Sequence, residues 1–257
     1  TRVVTILHAS PVTGISVDLG AISKAVHSIS PEALIIVDGV QYAAHGGITI
    51  DQYNIDGYAI SPYKMYSRHG YGLAWVSDRL TKMNHEQLFD GPSENWELGT
   101  RDTGSYATIS NVVQYLEWLG EKIENTESRS VKLYNAAKAI AAQETALTDL
   151  MINGEDNIKG LKDLSGVEII GGLKNPNRSG LVSFRINGTS SHLLVDFLND
   201  KGIRTHVRKA DHYSGNILDP LGWEDCVRVS VCHYNSSEEI KSLLLALNEF
   251  QLDAVTN

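Results

Sequence analysis

The first forty residues restrict this chain more than any other stretch. "RVVTILHAS" reads as a buried strand from Val3 to Leu7, β-branched at all but the last position, "SVDLGAISKAVHSI" carries apolar residues at helical spacing, and "EALIIVDG" reads as a second buried strand. Strand, crossover helix, strand implies parallel pairing with a right-handed connection. In such folds ligands bind outside the carboxyl ends of the strands, and Asp38 stands at one of those ends.

Two further short strands follow, "DGYAIS" and "GYGLAWVS", joined by a turn that carries Lys64. Downstream, "ATISNVVQYLEWLG" predicts a helix with Gly120 as its C-cap, and "VKLYNAAKAIAAQETALTDLMING" predicts a long amphipathic helix closed by Asn153 and Gly154. From about Ile152 short strands alternate with helices, the pattern of a smaller α+β domain. The expected division is residues 1–120 as part of a larger α/β domain, 121–151 as a connecting long helix and 152–257 as the small domain. With 42% hydrophobic residues in 257, both have material for a core.

Charge and cysteine usage exclude several classes. A formal charge of -9 without a dense Lys/Arg block argues against a nucleic-acid partner. The longest apolar runs, such as "ALIIVDGV", fall far short of the roughly 20 residues that span a bilayer, so no membrane is expected. Cys226 and Cys232 match neither a disulfide framework, a CxxC pair nor a zinc knuckle, which predicts a cytoplasmic setting and no metal. The abrupt start at Thr1, directly into a strand, leads us to expect missing upstream sequence.

A lysine in a turn is ordinarily solvated. Packed among Tyr63, Met65 and Tyr66 in a crevice with little water, its amine would lose hydration and become a competent nucleophile toward a carbonyl. Asp38 by itself reads equally well as a turn or cap aspartate. Together, a buried carboxylate at a strand end and a sequestered lysine suit pyridoxal phosphate: an anion keeps the ring nitrogen protonated and an amine holds the aldehyde.

The stretch "IIVDGVQYAAHGGITIDQYNIDGYAISPYKMYSRHGYGLAWVS" is similar to the central segment of the class V aminotransferase family, the cysteine desulfurase-like group of fold type I pyridoxal phosphate enzymes. Members typically show V-D-G/A-x-Q, a strand, then S-G-H-K and a glycine pair. The resemblance extends upstream to "HASPVTG" and downstream through "ELGTRDTG" to "VRVSVCHYNSSEEI", nearly the whole chain. It implies an α/β fold, with residues 1–120 the C-terminal part of the large mixed-sheet domain that binds pyridoxal 5'-phosphate. Asp38 then matches the pyridinium partner, Gln41 the residue near the ring hydroxyl and Lys64 the Schiff-base lysine. Ser61 and Thr100 match phosphate-holding positions, Thr100 reaching across from a neighbouring subunit of a homodimer with shared active sites. Tyr63 stands in the cofactor-binding place of the histidine of S-G-H-K. Arg228 matches the arginine that grips the substrate carboxylate, and Arg208 is a weaker match to a second arginine. His45 reads either as a support of the cofactor loop or as a packed imidazole, and packing is the reading preferred here.

Departures from the pattern shape the expected reaction. Desulfurases carry a mobile cysteine five residues after the counterpart of Arg208, and here that residue is Tyr213. Pro11 replaces an asparagine common near the ring hydroxyl, and it offers no side-chain or backbone donor. "SPYK" resembles a branch that includes enzymes of fungal specialised metabolism. The resemblance implies an enzyme acting on an amino acid through a Cα carbanion, by elimination (lyase) or C–C bond-forming (cyclase- or aldolase-like) chemistry. A cysteine desulfurase and an amino-acid epimerase stand as alternatives. A non-catalytic remnant acting as an interaction protein is the alternative of another class. Tyr63 and His212 are candidate proton relays. Substrate choice is expected to lie in loops 83–95 and 209–222 and in the missing upstream segment of the same protein.

Overall fold

Strand β1 (Val3–Leu7), helix α1 (Leu19–Ile29) and strand β2 (Leu34–Asp38) form the expected unit, with β1 and β2 parallel and Leu7 opposite Asp38. The helix begins where it does because the Asp18 carboxylate accepts a hydrogen bond from the Ala21 N–H, an N-cap that satisfies a donor the first turn leaves open. Strand β3 (Gly57–Ile60) adds to β2 in parallel and β4 (Leu73–Val76) adds antiparallel, giving the order β1-β2-β3-β4. The computed structural model describes residues 1–92 and 95–256, so residues 93 and 94 of the 83–95 loop lie outside the described residues. The chain divides into two compact units, one of Thr1–Ala9 with Ser16–Lys138, the other of Ser10–Ile15 with the residues from Ala139 onward.

Side chains alternate across a strand, so each face of the first sheet has its own population. One face packs Ile35, Val37, Ile55 and Tyr58 against Leu19 of α1, with Val4, Ile6 and Val26 around them. The other presents Thr5, Leu7, Ile36, Asp38, Val40 and Ala59 along an open depression of about 460 Å³.

A buried carboxylate ties this sheet together. Asp56, 4% exposed, accepts hydrogen bonds from Arg79 Nε (2.9 Å), Arg79 Nη2 (2.8 Å), Ser77 Oγ (3.0 Å) and the Ile35 N–H (2.9 Å). Ser77 also caps the short helix α2 (Asp78–Thr81), so one side chain links the starts of β2, β3 and α2. Burial by itself would raise the Asp56 pKa, but the Arg79, Ile35 and Ser77 hydrogen bonds outweigh it and hold the carboxyl below the ordinary aspartate range.

Helix α3 (Thr103–Ile123) starts at an Asp102 cap and runs three residues past the expected end at Gly120. Gly120 is not the C-cap: a Cβ there would overlap the Lys132 carbonyl oxygen of α4 (Arg129–Asn153), so its missing side chain lets two helices approach. The long second helix ends as expected, with Gly154 at φ +72°. The division between the units falls inside α4, after Lys138.

In the second unit a hairpin of β5 (Gly154–Glu155) and β6 (Ile158–Lys159) precedes β7 (Val167–Ile169) and β8 (Leu181–Ile186). Helix α5 (Ser191–Asp200), β9 (His206–Lys209), the short α6 (Gly215–Leu218), β10 (Asp225–Ser230) and α7 (Ser237–Thr256) complete it. Its antiparallel sheet has the order β7-β8-β10-β9. Phe184, Val227, Leu194, Leu198, Leu244 and Leu247 centre its core. Among the described residues no helix is long and apolar enough to cross a membrane.

The Asp56 network sets a stability test. Asp56→Asn should cost about 2 kcal/mol, since Arg79 loses its counterion but is itself partly solvated. A carboxyl whose folded pKa is depressed stabilises above its unfolded pKa and loses that contribution as pH falls through the folded value. Melting followed by circular dichroism below about pH 4 should therefore fall more steeply for the native protein than for the variant.

Candidate active site

Two turns at the carboxyl ends of adjacent parallel strands build the site. After β2 the chain turns tightly: Asp38 Oδ1 accepts a hydrogen bond from the Val40 N–H (2.9 Å), and the Gly39 N–H donates to the Ala59 carbonyl of β3 (2.8 Å). Gly39 is required here, because a Cβ would overlap the Tyr58 ring. Asp38 is exposed rather than buried as the sequence reading supposed, and Oδ2 makes no hydrogen bond among the described residues. Its charge is thus open to an incoming partner.

Beneath this turn sits a cluster that sequence reasoning missed. His8, 4% exposed, stacks on Tyr42 at 3.5 Å between ring centroids, and its Nδ1 hydrogen-bonds the Tyr58 hydroxyl at 2.7 Å. Burial pushes the His8 pKa down to about 4 and raises that of Tyr58, so both are neutral near pH 7. "HASP" and the tyrosines of "VQYAAHG" and "DGYAIS" were the available signal, but nothing in the sequence says that these rings meet.

The second turn follows β3. Ser61 enters it with its hydroxyl uncommitted to the helix cap, and Pro62 opens a 3-10 turn through Met65, a position suited to its fixed φ and missing N–H. Tyr66 closes the turn at φ +66° and its hydroxyl donates to the Ala44 carbonyl at 2.9 Å, pinning this turn to the one after Asp38. Half-buried Lys64 reaches the same neighbour: its Nζ donates to Gln41 Oε1 at 3.0 Å, and Gln41 Nε2 lies 3.0 Å from His45 Nε2. Thus Gln41 and Lys64 meet directly, with Asp38 and Ser61 on the same two turns. Tyr63 instead stacks on His69 at 4.3 Å and is 40% exposed, and Thr100 is exposed on the segment before α3. His45 is buried, as the packing reading supposed, and also bonded to Gln41.

In the second unit Arg228 of β10 and Arg208 of β9 lie on neighbouring strands, Arg208 opposite Cys226 and Arg228 opposite His206. Arg228 Nη1 donates to the Pro11 carbonyl at 3.0 Å, while the Nε of each arginine is buried without a hydrogen-bond partner among the described residues. Burial, and then the neighbouring Arg208, lower the Arg228 pKa to about 10. Two close guanidiniums with unmet donors suit an anion such as a carboxylate. Burial pushes the Cys226 thiol up to about 11 and raises Cys232 as well, and Tyr213 is 74% exposed.

A family model described as aminotransferase class V matches residues 1–243. The chain belongs to the class V aminotransferase family. An aminotransferase-like protein of Gibberella zeae is 30% identical, over 96% of this chain and 58% of its own length. A probable cysteine desulfurase of Xylella fastidiosa is 28% identical over 92% and 55%, and a cysteine desulfurase-like protein of Aspergillus flavus is 26% identical over 97% and 54%. The chain spans little more than half the length of these relatives. A cysteine desulfurase of Escherichia coli shares the fold with a TM-score of 0.75, at 24% identity over 98% of this chain and 59% of that one. A C-DES mutant with glycine covalently linked to its pyridoxal phosphate cofactor has a TM-score of 0.71, at 20% identity over 96% and 60%. The fold is that of the fold type I pyridoxal phosphate enzymes, and pyridoxal 5'-phosphate is the cofactor of the class V family.

The residues present fit that group. A ring with a basic nitrogen, a hydroxyl, an aldehyde and a phosphate calls for a carboxylate, an amide, an amine and hydroxyl donors. Asp38, Gln41, Lys64 and Ser61 supply them on two adjacent turns.

The buried imidazole beneath the Asp38 turn is testable through its titration. Because its folded pKa is depressed, His8 stabilises the fold above its unfolded value of about 6.5 and loses that contribution as pH falls toward about 4. His8→Asn keeps an acceptor for Tyr58, so its melting temperature should change less than the native one across that window, as read by differential scanning calorimetry.

Proposed function

We propose that this chain carries the reactive lysine of a pyridoxal phosphate enzyme acting at the Cα of an amino acid. The observation that supports it most is the Lys64–Gln41 hydrogen bond, which joins the turn after β3 to the turn whose Asp38 keeps an unengaged carboxylate oxygen. When bound, pyridoxal phosphate supplies an electron-withdrawing ring that stabilises negative charge at Cα.

This chain's own residues have separate tasks. Lys64 would hold the cofactor through its amine, and once released from that role its Nζ would hold or deliver a proton at the substrate Cα. Asp38 Oδ2 would keep the proton on the ring nitrogen. Gln41 would face the ring hydroxyl. Ser61 and Tyr63 would take the phosphate, Tyr63 by leaving His69, and Thr100 would do so from a second copy of the protein in a homodimer. Arg228, aided by Arg208, would bind the substrate carboxylate through paired N–H donors.

For the fate of the substrate we favour elimination or C–C bond formation over sulfur transfer. By the resemblance Tyr213 stands where desulfurases carry their mobile cysteine, and both cysteines are held protonated by burial, which removes their nucleophilic form. The likeness to the Gibberella and Aspergillus relatives supports a place in specialised metabolism. The second reading, a cysteine desulfurase, is favoured by the description of the Xylella relative. Incubation of the full-length protein with cysteine separates the two: persulfide with alanine supports the desulfurase, and neither product supports the first reading.

Lys64→Ala should abolish the yellow absorption of the cofactor-loaded full-length protein and lower turnover by about 10³-fold. Arg228→Ala should instead raise KM for the amino acid by about 10- to 100-fold with a smaller change in kcat, because it removes charge-assisted hydrogen bonds made equally before and during reaction. Steady-state kinetics on both variants checks the division of roles.

A further inference from the structure

Lys64, Gln41 and His45 form a chain in which each proton position constrains the next. An ammonium only donates, so Lys64 Nζ at 3.0 Å requires the oxygen end of the Gln41 amide to face it. The amide then turns its NH₂ toward His45 Nε2, 3.0 Å away. An amide nitrogen also only donates, so that ring nitrogen must be the acceptor and the His45 proton must reside on Nδ1. Gln41 and His45 are four residues apart across a single turn, and the ring is 8% exposed, so the geometry is fixed by packing.

We propose that His45 is a positioning residue for Lys64, acting through the Gln41 amide. An unprotonated Nε2 selects the amide orientation that offers Lys64 an acceptor. Without that selection the amide turns over, presents NH₂ to the amine, and favours the neutral form of Lys64, the only form able to accept. His45 thereby sets both the place and the proton affinity of the lysine without touching cofactor or substrate. The inference rests on Lys64 being the reactive amine, but the chain of donors and acceptors exists independently of any cofactor.

The test uses the cofactor-free full-length protein. The pH profile of acetic anhydride labelling at Lys64, quantified by peptide mass spectrometry, reports the proton affinity of the amine. In His45→Leu the midpoint should fall by about half a pH unit, and His45→Gln, whose amide oxygen can replace the acceptor, should return it toward the native value. In a Gln41→Leu background, His45→Leu should produce no further shift. Histidine ¹⁵N resonances of the native protein supply a check that needs no substitution, with His45 expected as the Nδ1–H tautomer. An unshifted midpoint, a shift that persists without Gln41, or an Nε2–H tautomer would overturn the proposal. A native protein that labels as expected yet gains no visible band with pyridoxal phosphate would refute the cofactor role and leave the His45 inference standing.

Discussion

The hydrogen bond from Lys64 Nζ to Gln41 Oε1 is the contact on which the site depends, and the strand register makes it possible. Parallel pairing of β2 with β3 sets Asp38 opposite Ala59, so both strands deliver their following turns to the same end of the sheet. From there the separation is short enough for a lysine to cross. The Tyr66 hydroxyl on the Ala44 carbonyl and the Gly39 N–H on the Ala59 carbonyl hold the turns together, one at the cost of a left-handed tyrosine and the other through a glycine that no larger residue could replace.

Two aspartates of this sheet show how structure and chemistry separate. Asp56 is enclosed, accepts four hydrogen bonds and has Arg79 as counterion, the arrangement of a carboxylate that holds elements in place. Asp38 lies at the other end, exposed, with one backbone donor and an oxygen to spare. A carboxylate that ties strands together has its lone pairs used; one that meets a ligand must keep some available. Arg208 and Arg228, half-buried in the second unit, show the same logic with the sign reversed, since their buried Nε donors find no acceptor among the described residues.

Much of this was legible in the residues. The β-branched run of "RVVTIL" and the helical spacing of "LGAISKAVHSI" correspond to β1 and α1, and "DGYAIS" to β3, because local propensity and periodicity are properties of the segment itself. What escaped were relations between segments. Gly120 reads as a terminator because glycine commonly ends helices, but its role is to admit the backbone of another helix, which no local pattern encodes. The depth of Asp38 was misjudged because a hydrophobic strand predicts burial of the strand and not of the residue that leaves it. His8, Tyr42 and Tyr58 come from three separate segments, and only the folded sheet stacks them.

Every role proposed for the site depends on Lys64 being the amine that holds the cofactor. The most direct measurement is borohydride reduction of the full-length protein after incubation with pyridoxal phosphate, followed by proteolysis and mass mapping of the pyridoxyl group. The expected result is one modified position, Lys64, in the peptide around "SPYKMYSR". A pyridoxyl group on any other lysine, or on none, would contradict it.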